Sequence, residues 1–212
     1  MGIIKRFFNN TRKPNGLMGK MMVNSMNHGH AAVSDWGLSY FPVVPKAAHF
    51  MIADFGCGGG RNTAALLKRF PAARVTALDY STVACDKTKR FNQHEVKTGR
   101  CNVVQGEVSR LPFGAAKFDV ITAFETVYFW PGPVESFQEV WRVLKPGGTF
   151  MIVNESDGTK QADEKWTETI DGMSIFTQEQ LMQYLQDAGF SWIVAHKNRK
   201  QNWLCLIAEK AR

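Results

Sequence analysis

The sequence predicts an α/β fold in which a mostly parallel β-sheet carries helices on both faces. From Phe50 onward, short apolar runs alternate with segments of helical periodicity, and this alternation is typical of a parallel sheet. The run 118–124 is mostly apolar throughout, which is expected where helices cover both faces of a strand. With 212 residues, 44% of them hydrophobic, the chain can form one such domain with a full core.

The first predicted strand, residues 50–53, runs directly into a glycine-rich turn. This turn spans Asp54 to Gly60 and reads D-F-G-C-G-G-G. Glycine has no β-carbon, so the backbone can turn sharply there and lie flat against a ligand. The segment 61–70 then has helical periodicity and Pro71 ends it. Free amide groups at the start of that helix suit a polar or anionic ligand group.

An acidic residue, Asp79, ends the second predicted strand about 20 residues after the glycines. A carboxylate at that position can accept both hydroxyls of a ribose, so the unit predicts a nucleoside site. A dinucleotide-binding turn has its third glycine three residues after the second, where this chain has Arg61. The spacing is therefore G-x-G-x-G, and it disfavours the alternative of a nicotinamide oxidoreductase.

The rest of the chain continues the alternation of strands and helices. Ser81 can cap a helix that runs to about Gln93, and Pro133 can start another. Lys145–Gly148 predicts a type II turn, because proline and glycine supply its two central torsions. Thr177 and Gln180 form a capping box. The further strands are predicted at 102–105, 118–124, 149–154, 191–195 and 203–208.

Three stretches together resemble the class I S-adenosylmethionine (SAM)-dependent methyltransferases. They are the glycine motif, Leu111-Pro112-Phe113 after strand three, and the run from Glu139 through the Lys-Pro-Gly-Gly turn to Phe150. The resemblance covers about Asp54 to Glu155. It implies a three-layer, doubly wound, Rossmann-like sheet of seven strands, mostly parallel with an antiparallel last strand. It also implies SAM as the cofactor and S-adenosylhomocysteine as the product.

The resemblance further implies which residues bind the cofactor. Asp54 should lie under the glycine turn, and an acidic residue after strand three should bind the adenine amino group. This chain has Glu107 at that position, where the family more often has aspartate. The predicted cofactor-binding residues are Asp54, Gly56, Cys57, Gly58, Gly60, Asp79, Tyr80, Ser81, Gly106, Glu107, Val108, Phe124 and Glu125.

The acceptor end of the site is less defined by the sequence. A methyl sulfonium is already an electrophile, so we expect neither a covalent nucleophile nor a metal ion. Holding the acceptor in line with the S–CH₃ bond can contribute about 7–11 kcal/mol, and a base matters only for an acceptor that carries a proton. No catalytic residue is assigned. The acceptor-site candidates are His28, His30, Tyr128, Trp130 and Glu155.

The segment after strand four points to a small-molecule acceptor. Methyltransferases of this fold that modify nucleic-acid amines carry Asn/Asp-Pro-Pro-Tyr/Phe there, whereas this chain reads Phe124-Glu125-Thr126-Val127. Residues 111–155 resemble the branch that modifies quinones, lipids and other metabolites. The atom that accepts the methyl group can therefore be O, N, S or C. An RNA methyltransferase remains an alternative, supported only by the net charge of +7.

The ends and the composition give the remaining expectations. We expect residues 1–45 to form a helical lid or cap and residues 46–212 the SAM-binding domain. No apolar run is long enough for a membrane span or a signal peptide, so we expect a cytoplasmic monomer or homodimer. The N-terminus has an apolar face beside Lys5 and Arg6. Peripheral membrane contact, or a function as a membrane-surface binding module, therefore remains an alternative. The four cysteines form no C-x-x-C pair and should be buried thiols.

Overall fold

The structure is a computed structural model that describes residues 29–41, 50–160 and 162–212. His28 and most of the predicted lid at 1–45 lie outside the described residues. The strands are β1 (Met51–Phe55), β2 (Arg74–Asp79), β3 (Cys101–Gln105), β4 (Phe118–Phe124), β5 (Leu144–Asn154), β6 (Trp192–Asn198) and β7 (Trp203–Glu209). The helices are α1 (Ala31–Leu38), α2 (Arg61–Arg69), α3 (Thr82–Phe91), α4 (Gln93–Lys97), α5 (Pro133–Val143), α6 (Ala162–Thr169) and α7 (Gln178–Asp187).

The seven strands form one sheet in the order β3-β2-β1-β4-β5-β7-β6. The pairs from β3 through β5 are parallel, and β7 is antiparallel to both of its neighbours. This architecture confirms the predicted fold, including the antiparallel last strand. The chain order reverses between β1 and β4, and ligands of open α/β sheets bind in the crevice at the carboxyl ends of such strands.

Two apolar clusters pack against the sheet. One contains Phe137 of α5 and Leu181 of α7 together with Phe150 and Ile152 of β5. The other contains side chains of α1 and α2 together with Met151 and Val153 of the same strand. Because successive residues of β5 alternate between the clusters, this strand is covered on both faces, as its apolar sequence requires.

Helix α1 is held against the sheet by apolar and aromatic contacts. The ring of Tyr40, just after the helix, stacks on His196 of β6 with centroids 4.0 Å apart, and Trp36 contacts Trp203 of β7 at 5.8 Å. Gly37 passes close to Val153 of β5, where an added β-carbon would lie 2.5 Å from a valine methyl group. The helix therefore lies over the carboxyl end of β5.

Several local predictions are confirmed. The Thr177 hydroxyl accepts the Gln180 N–H at 3.2 Å while the Gln180 side chain accepts the Thr177 N–H, so the capping box forms. Ser81 caps α3 by accepting the Ala84 N–H. Pro133 opens α5.

Two predicted boundaries are wrong. Strand β5 begins at Leu144 rather than 149, because Leu144 pairs with Phe118 and the Gly147 N–H donates to the carbonyl of Lys210. Gly147 nevertheless keeps a φ of 73°, the positive value that the turn requires. Helix α3 ends at Phe91 rather than Gln93, because the Asn92 amide donates to the carbonyls of Thr88 and Gly60 and closes the helix.

Candidate cofactor and acceptor site

A cavity of about 300 Å³ opens at the carboxyl ends of β1, β2 and β4. It collects residues from the glycine turn, from the loop after β3 and from the loop after β4. Of the predicted site residues, those that line it are Gly56, Cys57, Gly58, Asp79, Tyr80, Gly106, Glu107, Val108, Phe124, Glu125, His30 and Trp130. The structure thus brings both ends of the predicted site together in one crevice.

The glycine turn has the backbone geometry that its sequence predicts. Gly56, Gly58 and Gly60 all have positive φ, between 52° and 84°. A β-carbon on Gly56 would lie 2.1 Å from the Thr126 hydroxyl, and one on Gly60 would lie 2.7 Å from the Asn92 amide. At Gly58 an added β-carbon meets its first atom only at 4.0 Å. Of these three glycines, Gly58 therefore has open space beside its backbone, and it lines the cavity.

Asp79 connects the end of β2 to this turn. One of its carboxylate oxygens accepts the Gly58 N–H at 3.0 Å, and the other accepts the Ser81 N–H at 2.9 Å. Burial raises the pKa of this carboxyl, and the backbone hydrogen bonds oppose that rise. The Tyr80 N–H is a third backbone donor to this carboxylate. Because a carboxylate has about four lone-pair sites, it can still accept a hydroxyl group from the cavity.

Asp54 lies beneath the turn and outside the cavity lining. It is 1% exposed, and its carboxylate accepts the Thr63 hydroxyl of α2 at 2.7 Å. The Thr122 hydroxyl of β4 lies 3.1 Å from its other oxygen. Burial raises the pKa of Asp54 to about 6. The residue therefore joins β1, α2 and β4 below the glycines, and a contact to the cofactor would have to pass through the turn.

Gly60 and Ser81 also lie outside the lining. Gly60 accepts the Asn92 amide through its carbonyl at 3.1 Å, and Thr88 donates to the Gly58 carbonyl at 3.0 Å. Helix α3 therefore braces the glycine turn from behind. Ser81 serves as the cap of that helix and as a partner of Asp79.

Glu125 is the first residue after β4 and lines the cavity. Its φ is +56°, a left-handed conformation that costs a non-glycine residue about 1–2 kcal/mol. Its carboxylate accepts the backbone N–H of Glu155, the first residue after β5. Burial raises the pKa of Glu125 well above its usual value, and the Glu155 charge raises it further.

The other acceptor-site candidates are divided between the cavity and its surroundings. His30 lines the cavity, and its Nε2 lies 3.5 Å from a carboxylate oxygen of Glu155. Trp130 also lines it and donates its indole N–H to Thr126 at 3.2 Å. Tyr128 lies behind the lining, where its buried hydroxyl accepts the Ser156 N–H at 3.0 Å.

Several lining residues were missed by sequence reasoning. They are Ser34, Gly59, Arg61, Asn62, Leu78, Ala84, Thr126, Phe129, Pro131 and Gly172. Ser34 lies in the segment 1–45 that was predicted as a lid, but no local pattern marks Ser34 or Gly172 as an individual lining residue. Arg61 could have been predicted to line the cavity, because it directly follows the glycines. One nitrogen of its guanidinium donates to both carboxylate oxygens of Asp35 of α1, with N–O distances of 2.8 and 2.9 Å.

The cavity residues fit an adenosyl group with a charged amino-acid tail. Gly58 offers bare backbone beside the Asp79 carboxylate, as a ribose and its neighbouring groups require. Glu107 supplies an exposed carboxylate at the rim after β3, and a carboxylate can accept an exocyclic amine. The apolar side chains of Leu78 and Val108 line the same cavity, where they can contact a flat base.

A comparison with protein families agrees with this geometry. Residues 53–152 match the family described as "Methyltransferase domain". The match begins in β1 and ends in β5, so it contains the glycine turn, Asp79, Glu107 and Glu125.

Individual relatives extend the match. The chain is 29% identical over 151 residues to cycloartenol-C-24-methyltransferase 1 of Oryza sativa subsp. japonica, covering 67% of this chain and 44% of that protein. It is 25% identical over 167 residues to the chloroplastic 2-methyl-6-phytyl-1,4-hydroquinone methyltransferase of Spinacia oleracea, covering 79% and 47%. The chain thus spans about half the length of these curated relatives.

A solved structure shows the same fold. A chain from the complex between the Haloferax volcanii Trm112 methyltransferase activator and a methyltransferase superposes with a TM-score of 0.80 at 19% identity. The superposition covers 92% of this chain and 95% of that one. At this identity the likeness concerns the arrangement of the sheet and helices.

Proposed function

Because this domain belongs to the class I SAM-dependent methyltransferases, we propose that the chain transfers the methyl group of SAM to a small-molecule acceptor. SAM is the cofactor of the domain, and when bound it supplies an electrophilic methyl group. The residues of the chain must therefore hold the cofactor, align an acceptor with the sulfur–methyl bond and keep water away from it.

One observation carries the proposal. The bare backbone at Gly58, the carboxylate of Asp79 and the carboxylate of Glu107 meet in a single cavity. Gly58 suits the amino-acid tail of the cofactor, Asp79 the ribose and Glu107 the adenine. Glu125 and Trp130 then line the end where the methyl group would be presented.

The acceptor class is proposed from the chemistry of that end. Phe129, Trp130 and Pro131 offer apolar surface, and Glu125 and His30 offer two groups able to hydrogen-bond or accept a proton. A small organic acceptor with one polar group suits such a lining. The names of the relatives, which refer to a sterol and a hydroquinone, agree with this class.

Three further expectations belong to the same proposal. Residues 1–45 act as a lid and 46–212 as the SAM-binding domain, which the Asp35–Arg61 ion pair between α1 and the cavity rim supports. The protein works in the cytoplasm as a monomer or homodimer. In the described part of the chain, no helix is both long and apolar enough to cross a bilayer.

Replacing the ribose-binding carboxylate tests the proposed function. We expect Asp79→Ala to bind S-adenosylhomocysteine at least about 10–100-fold more weakly, because the loss of even one charge-assisted hydrogen bond costs about 1.5–3 kcal/mol. Titration calorimetry measures this change, and a circular dichroism melt checks that the variant is folded.

Asp86→Asn is the matched control, because Asp86 is an exposed carboxylate on α3. It should bind S-adenosylhomocysteine like the wild type, and NAD should bind neither protein. Unchanged affinity in Asp79→Ala would contradict the ribose assignment. Failure of the wild type to bind S-adenosylhomocysteine would contradict the proposed function itself.

A further inference from the structure

Three side chains from separate parts of the chain converge at the acceptor end of the cavity. His30 precedes α1, Glu125 follows β4 and Glu155 follows β5. One imidazole nitrogen and one oxygen from each carboxylate all lie within 4.8 Å of one another. A nitrogen and two oxygens at this separation form a donor set that no single element of the fold would create.

The charges in this trio are not balanced by basic side chains. Among the described residues, no lysine or arginine forms an ion pair with Glu125 or Glu155, and His30 is the one basic group beside them. The two carboxylates come close to each other because the Glu155 N–H holds the Glu125 carboxylate. Two carboxyl groups held this close do not both ionise easily, and a bound cation would stabilise the ionised form of both.

We propose that His30, Glu125 and Glu155 bind one divalent transition-metal ion. An imidazole with two carboxylates suits Mn²⁺, Fe²⁺ or Zn²⁺, whereas Mg²⁺ and Ca²⁺ prefer oxygen ligands alone. Because only three protein groups take part, coordination positions stay open on the cavity side, where His30 and Glu125 line the wall.

The distances are compatible with one shared ion. Bonds of about 2.0–2.2 Å place neighbouring ligand atoms about 3–3.6 Å apart, and His30 Nε2 lies 3.5 Å from Glu155 Oε2. The separations between Glu125 and the other two groups, which are at most 4.8 Å, must shorten further, and the Glu155 side chain can take part because it is 53% exposed and can rotate. The Glu155 N–H that holds Glu125 then acts as an outer hydrogen bond that orients a ligand.

This inference rests on the proposed function for the role of the site, because it assigns the acceptor a hydroxyl group that reaches the open positions. A metal ion lowers the pKa of such a hydroxyl. The hydroxyl proton passes to solvent, the sulfur–methyl bond breaks and an oxygen–methyl bond forms. S-adenosylhomocysteine leaves as the second product, so atoms and charge balance.

The test needs no knowledge of the acceptor. The full chain is stripped with a chelator, dialysed and titrated with Mn²⁺ while electron paramagnetic resonance follows free Mn²⁺, and Zn²⁺ is added as a competitor. We expect one site per chain, displaced by Zn²⁺. His30→Gln and Glu155→Gln should each weaken Mn²⁺ binding at least about tenfold, while S-adenosylhomocysteine affinity and melting temperature stay near the wild-type values.

Glu107→Gln provides the opposite control, because it removes a carboxylate from the other end of the same cavity. It should weaken S-adenosylhomocysteine binding and leave Mn²⁺ binding intact. A wild type that binds neither Mn²⁺ nor Zn²⁺, or binds them equally well without His30 or Glu155, overturns the metal site. A wild type that does not bind S-adenosylhomocysteine contradicts the proposed function instead. Failure of the metal site and failure of the proposed function therefore give different results.

Discussion

Asp54 shows how a single residue below the cofactor site influences the stability of the domain. Its carboxyl group is buried between Thr63 of α2 and Thr122 of β4, and burial raises its pKa to about 6. Between pH 4 and pH 6 the native protein therefore keeps a proton that the unfolded chain releases. The contribution of Asp54 to the free energy of unfolding must therefore decrease as the pH rises through that range, and it levels off above pH 6.

We therefore predict that Asp54→Asn removes this pH dependence. Relative to the variant, the wild type should lose up to about 3 kcal/mol of unfolding free energy between pH 4 and pH 7. Urea unfolding of both proteins at several pH values measures the difference. Parallel curves for the two proteins would contradict the burial argument.

At the residue level, the sequence predicted the positions of the site better than the function of each residue within it. The glycines and Asp79 were identifiable because their spacing follows from one strand–turn–helix–strand unit, whereas Glu107 was identified through the resemblance to the methyltransferase family. Gly60 was expected at the ligand, but it packs against Asn92 and Thr88 instead. That packing depends on where α3 returns to the turn, and no local pattern encodes it.

Helix α1 is fixed to the sheet by a close contact at its only interior glycine, Gly37. A β-carbon there would lie 2.5 and 2.7 Å from the two methyl groups of Val153. Overpacking of this kind typically costs about 1–3 kcal/mol, whereas alanine in place of a helical glycine gains about 1 kcal/mol. We expect the steric cost to win, because Val153 is fully buried in β5.

Gly37→Ala should accordingly lower the free energy of unfolding by up to about 2 kcal/mol. In the double variant Gly37→Ala/Val153→Ala the clashing methyl groups are gone, so the loss should be smaller than the sum of the single losses. A double-mutant cycle from urea unfolding measures this coupling. Additive losses would show that α1 is not held by this contact.

At the level of elements, periodicity located the strands and helices but not all their ends. The boundaries of α2 and the capping box of α7 were predictable because they depend on neighbouring residues. The start of β5 was not, because the pairing of residues 144–148 depends on partners at Phe118 and Lys210. Contacts distant in sequence thus extend the strand through Pro-Gly-Gly, although Gly147 keeps the positive φ of a turn.

The four cysteines report on the integrity of the whole molecule. All are free and buried, and none is more than 6% exposed. Burial raises the pKa of Cys85 to about 11 and those of Cys101 and Cys205 to about 12, and it raises that of Cys57 as well. Few thiolates therefore exist at neutral pH, and reagents cannot reach them without an opening of the fold.

We predict that native protein at pH 8 reacts slowly with Ellman's reagent and that all four thiols react at once in urea. S-adenosylhomocysteine should slow the reaction of Cys57 most, because Cys57 lines the cavity. Absorbance at the thiolate product wavelength and mass spectrometry of the labelled peptides measure both effects. A rapid phase equal to one thiol in the native protein would contradict the buried placement.

The position of β7 between β5 and β6 affects how the molecule is made. During synthesis, β6 leaves the ribosome before β7, yet among the described strands β6 pairs only with β7. Until β7 emerges, the free edge of β5 has no neighbour and β6 has no strand to join. The apolar edge of β5 therefore stays exposed until β7 has been synthesised. A molecular chaperone would be of most use during that interval.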